Sequence, residues 1–253
     1  MKGTDDQKPN RDTSEERYLG GYSSLITKDI LAKRTASVEA SFFLPHLRFG
    51  MRLLDCGCGP GTITVDLAEV VAPGEVVGID LEDKQFEIGR AYARERGVSN
   101  VRFETGNIYN LPFPSETFDA VFAHAVLYHL KTPQKALTEL QRLLKPGGVI
   151  GIRDLENGGT ILTPSSQITD KARELMDRVL EYSGGHPLFG RSQRVLLREV
   201  GFVNIQLRHL TILTERPRPH EPWVNILLIY YYSRTQSVWL LSNNGPVSQS
   251  LRK

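Results

Sequence analysis

The stretch MRLLDCGCGPGTITVDL, Met51 to Leu67, decides the fold. Its short apolar run ends at three alternate glycines, Gly57, Gly59 and Gly61, and the amphipathic pattern of a helix follows. An acid, Asp55, stands just before the glycines. Glycine lets a backbone approach a ligand closely, and the first strand-to-helix turn is where doubly wound sheets bind nucleotides. The stretch therefore predicts a ligand-binding turn at the centre of an α/β sheet.

Apolar runs and amphipathic segments continue to alternate beyond this turn. The runs that predict further strands are 74–80, 100–106, 117–127, 148–155, 203–213 and 223–232. The segments that predict helices are 62–71, 82–97, 132–148, 169–185 and 192–201. Short buried strands that alternate with helices predict a Rossmann-like doubly wound parallel sheet with helices on both faces.

The ends of the chain differ from this central pattern. The sequence predicts a disordered tail (1–17), a single domain (18–232) and a tail to which no structure is assigned (233–253). Within the domain it predicts lid helices (about 23–48), a core (51–154) and a substrate-side insertion (about 155–200). The polar, aperiodic start is typical of disorder.

Composition excludes several classes of function. The net charge of +2 over 253 residues provides no general attraction for nucleic acid or anionic lipid. The longest apolar run, 223–232, is about half a membrane span, so no membrane-spanning helix is expected. Two cysteines cannot form a disulfide framework, and with no signal-peptide pattern they favour a cytoplasmic protein.

The glycine spacing and Asp55 together favour one class of ligand. The dinucleotide fingerprint G-x-G-x-x-G, counted from Gly57, would need a third glycine where Thr62 stands. A carboxylate at Asp55 would repel a pyrophosphate but suits the amino group of a ligand. Asp80, at the end of the second strand, can accept both hydroxyls of a ribose. A ligand with an amino-acid end and a nucleoside end, such as S-adenosylmethionine, satisfies both features.

Neither cysteine is expected to carry chemistry. Cys56 and Cys58 have no second cysteine pair and no spaced histidine pair to complete a metal site. A redox role would favour a C-x-x-C spacing over the C-x-C found here. Packing is the expected role of Cys56, and no metal is expected.

Four motifs in order resemble the class I S-adenosylmethionine-dependent methyltransferases, in particular the type 11 group with the ubiquinone and menaquinone C-methyltransferases. The motifs are LLDCGCGPGT (53–62), VVGIDLEDKQFEIGRA (76–91), GNIYNLPFPSETFDAVFAHAVLYHL (106–130) and RLLKPGGVIGIRD (142–154). The resemblance runs from about Gly20 to Phe202 and implies an antiparallel last strand. The segment after Ser233 resembles nothing in the group, which leaves open a catalytically inactive binding or scaffold subunit.

The resemblance also implies which residues bind the cofactor. They are Asp55, Gly57, Cys58, Gly59, Gly61, Asp80, Leu81, Gln85, Asn107, Ile108, His124 and Tyr22. Many members of the group have an acid at the position of Asn107, and this acid accepts a hydrogen bond from the adenine amino group. The amide of Asn107 keeps an acceptor oxygen but lacks the charge. Tyr18, Arg34 and Thr35 are implied to lie near the mouth of the pocket.

The predicted function is transfer of a methyl group from S-adenosylmethionine to a small, apolar or aromatic molecule. Alignment of the acceptor with the methyl group accounts for most of such catalysis, and a base is needed only when the acceptor must lose a proton. The candidates for this base are His129, His186 and Asp154, with His124 and Tyr128 behind them, and packing or capping is the alternative role for each. An NAD-linked oxidoreductase is a less favoured alternative.

Overall fold

The computed structural model describes residue 27 and residues 30–159, 166–211 and 235–242, without the side chains of 207–211 and 235–242. Seven strands are present in these ranges: β1 (Leu53–Cys56), β2 (Val76–Asp80), β3 (Val101–Thr105), β4 (Phe118–His124), β5 (Leu144–Glu156), β6 (Val203–Thr211) and β7 (Thr235–Ser242). The runs in β1 and β2 are buried at every position, as expected for strands covered on both faces.

The strands form one sheet in the order β3-β2-β1-β4-β5-β7-β6. Pairing is parallel from β3 through β5, and β7 runs antiparallel to both of its neighbours. This arrangement confirms the predicted Rossmann-like sheet with its antiparallel last strand. The chain leaves β1 toward β2 on one side and returns to β4 on the other, so the carboxyl ends of β1 and β4 border the crevice that binds ligands in such sheets.

The last strand is not where the sequence predicted it. The predicted run, 223–232, lies outside the described residues, and the position between β5 and β6 is occupied by β7, Thr235–Ser242. That strand belongs to the segment that received no prediction. Its register pairs Ile152 with Trp239, and residues 235–242 pair along their whole length with β5.

Six α-helices are present in the described ranges: α1 (Ala36–Glu39), α2 (Thr62–Val71), α3 (Phe86–Arg96), α4 (Pro133–Leu143), α5 (Gln167–Tyr182) and α6 (Phe189–Val200). One face of the sheet is covered by α2 and α3, and α4 and α6 pack together on the other. The predicted substrate-side insertion, about 155–200, therefore includes a helix, α6, that covers the sheet against β5. No helix among the described residues has the length and apolar character to cross a membrane.

Residues 30–43, which we call the N-terminal strap, precede the sheet. The predicted lid helices are replaced, over the described residues 30–48, by 3₁₀ turns at Leu31–Lys33 and Leu44–His46 and the single helical turn α1. Backbone groups that a longer helix would use internally are bonded to other elements: Ala36 N–H donates to Asp66, and the Val38 carbonyl accepts from Arg153. The strap is anchored by Phe43, which is fully buried and stacks on Phe122 with ring centroids 5.4 Å apart.

Candidate functional site

The glycine turn after β1 is bonded tightly to the end of β2. Gly57 and Cys58 both donate their N–H groups to the Ile79 carbonyl, at 2.7 and 3.0 Å. All three glycines have positive φ, at 78° for Gly57, 53° for Gly59 and 80° for Gly61, a region that side chains rarely enter. The helix α2 begins directly after Gly61, so its first N–H groups point toward the turn.

A pocket of about 530 Å³ opens at this turn, at the carboxyl ends of the strands. Its volume is that of a site for a drug-sized ligand. Nine of the predicted cofactor residues line it: Asp55, Gly57, Cys58, Gly59, Asp80, Leu81, Asn107, Ile108 and His124. Gly61 and Gln85 do not line the pocket, although both are buried beside it, and Tyr22 lies outside the described residues.

Asp80 lies at the rim of the pocket with a fixed carboxylate. One oxygen accepts from the Gly59 N–H at 2.9 Å and the other from the Glu82 N–H at 3.2 Å. A carboxylate oxygen accepts through two lone pairs, so this side chain is of a type that can hold the hydroxyls of a ligand. The side chain is nearly buried, which strengthens any hydrogen bond that it accepts.

Asp55 lies deeper, at the end of β1. It accepts a 2.6 Å hydrogen bond from the Thr64 hydroxyl on α2. Burial raises the pKa of Asp55 to about 7, with a smaller contribution from the negative charge of Asp80, although the Thr64 hydroxyl lowers it. A carboxylate in this state can hold a cationic ligand group, and a bound cation would stabilise its ionised form.

The far end of the pocket is shaped by the loop after β3. The oxygen of the Asn107 side chain accepts from the Tyr109 N–H at 3.0 Å, which fixes the amide at the pocket wall. Leu81 and Ile108 add apolar surface there. The buried amide of Gln85 has no hydrogen-bond partner and lies outside the lining.

His124 ends β4 and faces the N-terminal strap. Its Nε2 atom lies 3.3 Å from a carboxylate oxygen of Glu39, which also forms an ion pair with Arg153 of β5. Burial lowers the pKa of His124 to about 4, aided by the positive charges of Arg34 and Arg153 and opposed by Glu39, so the imidazole is neutral at pH 7. Burial alone would raise the pKa of Glu39, but His124, Arg153 and Arg34 outweigh it and hold that pKa at about 2.

The three candidate bases occupy different places. His129 lines the pocket on the 3₁₀ turn Leu127–His129 that follows β4, with its ring against that of Tyr128. Asp154 lies behind this turn, 1% exposed, and accepts from the Leu127 N–H at 3.2 Å. Burial raises the pKa of Asp154 to about 8, against the backbone N–H groups of 126–128 that lower it.

His186 lies outside the pocket lining. Its backbone N–H donates to the Tyr128 carbonyl at 2.7 Å, and its side chain is exposed, with Nε2 at 3.4 Å from the Lys131 carbonyl oxygen. Tyr128 lines the pocket and is 1% exposed. Of the candidates His129, His186 and Asp154, only His129 lines the pocket.

Sequence reasoning missed several residues of the site. The lining residues that it did not predict include Leu31, Ile63, Glu82, Val126 and Leu130. It also missed Glu39, and it assigned no role in the site to Arg153. Two adjacent charges within the apolar run 148–155, Arg153 and Asp154, were the available signal, because buried charges need partners.

Both cysteines are buried. Burial raises the pKa of the Cys56 and Cys58 thiols well above the usual range, with smaller contributions from Asp55 and Asp80. A thiol in this state is a poor nucleophile and a poor metal ligand. Among the described residues, no three His, Cys, Asp or Glu side chains are grouped to hold a metal ion.

The comparisons with known proteins all find methyltransferases. Residues 47–197 match the family described as a methyltransferase domain. An uncharacterized methyltransferase of Schizosaccharomyces pombe is 36% identical over 191 residues, 73% of this chain and 68% of that protein. Demethylmenaquinone methyltransferase of a Geobacillus species is 32% identical over 181 residues, 66% of this chain and 76% of the enzyme.

A solved structure shares the fold. Phosphoethanolamine N-methyltransferase 2 of Haemonchus contortus, in complex with S-adenosyl-L-methionine, superposes with a TM-score of 0.57. The alignment covers 79% of this chain and 50% of that one at 18% identity. The likeness confirms the architecture of the sheet and its helices.

Proposed function

Because the chain belongs to the class I S-adenosylmethionine-dependent methyltransferases, we propose that it methylates a small, apolar or aromatic molecule by direct in-line transfer. Its cofactor is S-adenosylmethionine, which supplies an activated methyl group on a sulfonium. The comparisons favour neither of the alternatives, an NAD-linked oxidoreductase or an inactive scaffold subunit.

The residues of the pocket fit this cofactor. A Cβ added at Gly59 would meet no protein atom within 4 Å, so the turn leaves open space that a ligand can fill. In this proposal Asp55 holds the amino group of the cofactor, Asp80 holds the ribose hydroxyls, and Asn107 with Leu81 and Ile108 contacts the adenine. The missing charge at Asn107 weakens only the contact to the adenine amino group, since an amide oxygen still accepts.

The proposal of an apolar or aromatic acceptor is supported by the apolar and aromatic side chains of the turn after β4. Val126 and Leu130 give the pocket apolar surface there, and the rings of Tyr128 and His129 lie beside them. Leu31 of the N-terminal strap adds apolar surface to the lining. A pocket with this lining favours an acceptor that is itself apolar or aromatic.

Catalysis by these residues depends on alignment of the acceptor with the methyl group and on removal of one proton from the acceptor. Holding the acceptor in line with the methyl group can supply roughly 7–11 kcal/mol of the barrier. In this proposal His129, which lines the pocket, accepts a proton from the acceptor as it is methylated. Asp154 orients His129 indirectly, because its carboxyl group bonds the backbone of the turn that carries the imidazole.

The acceptor class is tested by incubating the protein with a cell extract and S-adenosylmethionine that carries an isotope label in its methyl group, and by following transfer of that label to molecules of the extract. We expect label in small molecules that partition into organic solvent, with mass spectrometry showing products heavier by one methylene. Label found only in protein or nucleic acid would overturn the proposed acceptor class, and label in no product would favour the inactive scaffold.

Replacement of Gly59 separates ligand binding from folding. Gly59→Ala places a methyl group in the open space of the pocket, so we expect affinity for S-adenosylhomocysteine to fall about tenfold while the protein stays folded. Gly61→Ala places a Cβ against the Phe103 ring, and we expect it to lower the free energy of unfolding by about 2 kcal/mol. Calorimetric titration and thermal unfolding of both variants measure the two effects, and unchanged affinity in Gly59→Ala would contradict the placement.

Cofactor affinity should depend on pH through Asp55. Its pKa of about 7 means that much of this carboxyl is protonated at and below neutral pH in the ligand-free protein. An ammonium group of the ligand pairs only with the ionised form, so binding must release the proton as the pH falls below 7. We therefore expect affinity for S-adenosylhomocysteine to be higher at pH 8 than at pH 6, by up to about tenfold.

The control for this pH effect is Asp55→Asn, which has the same shape and cannot titrate. Titration calorimetry at pH 6, 7 and 8 should show weaker binding by the variant and little change with pH. If Asp55→Asn keeps the full pH dependence of the wild type, a different group is responsible.

A further inference from the structure

The N-terminal strap forms one wall of the cofactor pocket. Leu31 and Arg34 are its two residues in the pocket lining. Two polar contacts join this part of the strap to α2, the helix that follows the glycine turn. The Thr62 hydroxyl donates to the Arg34 carbonyl at 2.9 Å, and the Ala36 N–H donates to Asp66 at 2.8 Å. These two hydrogen bonds fix the strap to the helix that follows the glycine turn.

A buried ion pair joins the strap to the sheet. Arg153 is 1% exposed on β5, and its guanidinium pairs with Glu39 of α1 and donates to the Val38 carbonyl at 3.0 Å. The carboxylate of Glu39 also faces His124, which lines the pocket. Removal of one member of such a pair leaves the other charge buried, so the contact strongly favours the docked strap. This pair links a pocket wall to two strands of the sheet.

More negatively charged than positively charged side chains line the pocket. Asp55, Asp80 and Glu82 contribute carboxylates, and Arg34 is the single Lys or Arg in the lining that the structure describes. The methionine end of the cofactor carries an ammonium and a carboxylate together. Asp55 suits the ammonium, and a carboxylate buried in the same pocket needs a cationic or N–H partner of its own.

We propose that Arg34 binds the α-carboxylate of the cofactor, and that Glu39 and Arg153 are positioning residues that hold the strap so that Arg34 faces the pocket. A guanidinium suits this role because its N–H groups can donate two parallel hydrogen bonds to one carboxylate. The proposal concerns cofactor binding alone and does not depend on the identity of the methyl acceptor.

The test compares two ligands that differ by this one group. S-adenosylhomocysteine has the carboxylate, and its decarboxylated analogue keeps the ammonium and the nucleoside. We expect the wild type to prefer the carboxylate ligand by about tenfold, from its charge-assisted hydrogen bonds. Arg34→Met should lose this preference while it binds the analogue as the wild type does. A merely structural role would weaken both ligands alike, so an unchanged preference in Arg34→Met overturns the proposal.

The positioning role has its own variants and a matched control. Glu39→Gln should lower the preference toward that of Arg34→Met, and Arg153→Lys, a milder change at the same contact, should lower it in part. Glu156→Gln removes another buried carboxylate, which pairs with the exposed guanidinium of Arg191 outside the pocket lining. This control should keep the wild-type preference even if its melting temperature falls. If Glu39→Gln and Arg153→Lys keep that preference as well, the positioning role is wrong.

Discussion

Asp80→Ala should bind S-adenosylhomocysteine about 100-fold more weakly than the wild type. The change removes a nearly buried carboxylate from the pocket, and each hydrogen bond from a ligand to a charged group contributes about 1.5–3 kcal/mol. It also takes away the partner of the Gly59 N–H, so the glycine turn loses one of its fixed contacts. Titration calorimetry measures the loss directly.

The control for Asp80 is a carboxylate with similar backbone bonding at the other end of the sheet. Asp119 accepts from the Arg52 N–H at 2.8 Å and forms an ion pair with Lys145, outside the pocket lining. Asp119→Ala should lower the melting temperature without changing affinity. Equal affinities of Asp80→Ala and the wild type would contradict the cofactor site described here.

The fold could be predicted because its signals are local. The runs at β1 and β2 are buried along their whole length and end in glycines or an acid, so each strand and the turn after it are visible within a few residues. The same holds for α3, whose predicted segment, 82–97, ends at Gly97 with a φ of 69°, and for α4, which begins at Pro133, one residue into the predicted segment 132–148.

The last strand could not be predicted in this way. The run 223–232 has the stronger apolar signal, and Thr235–Ser242 begins with three polar residues. What determines β7 is its pairing with β5 on one side and β6 on the other, and pairing between distant segments leaves little trace in local composition.

The residues of the site divide in the same way, into those that local motifs predict and those that depend on contacts between distant segments. Asp55, the glycines and Asp80 belong to motifs at the ends of adjacent strands, so their convergence follows from the sheet. Glu39 meets Arg153 across 114 positions of sequence, and the short turns of the strap give no helical period that would place it. Arg34 was placed near the pocket mouth only through the resemblance to a family.

His129→Gln should lower the rate of methyl transfer about 100-fold while affinity for S-adenosylhomocysteine stays unchanged. A positioned base typically contributes 10²–10⁴-fold, and glutamine keeps a similar size and a hydrogen-bonding end but cannot accept the proton. Of the three leading candidates, His129, His186 and Asp154, only His129 lines the pocket, which makes it the residue to change. Transfer of label at saturating cofactor measures the rate, and calorimetry measures the affinity.

A second histidine provides the matched control. His186 is bonded to the same turn through its backbone N–H, which His186→Gln retains, and its exposed ring lies outside the pocket lining. We expect this variant to keep the wild-type rate. A wild-type rate in His129→Gln would show that the acceptor is methylated without this base, by alignment alone.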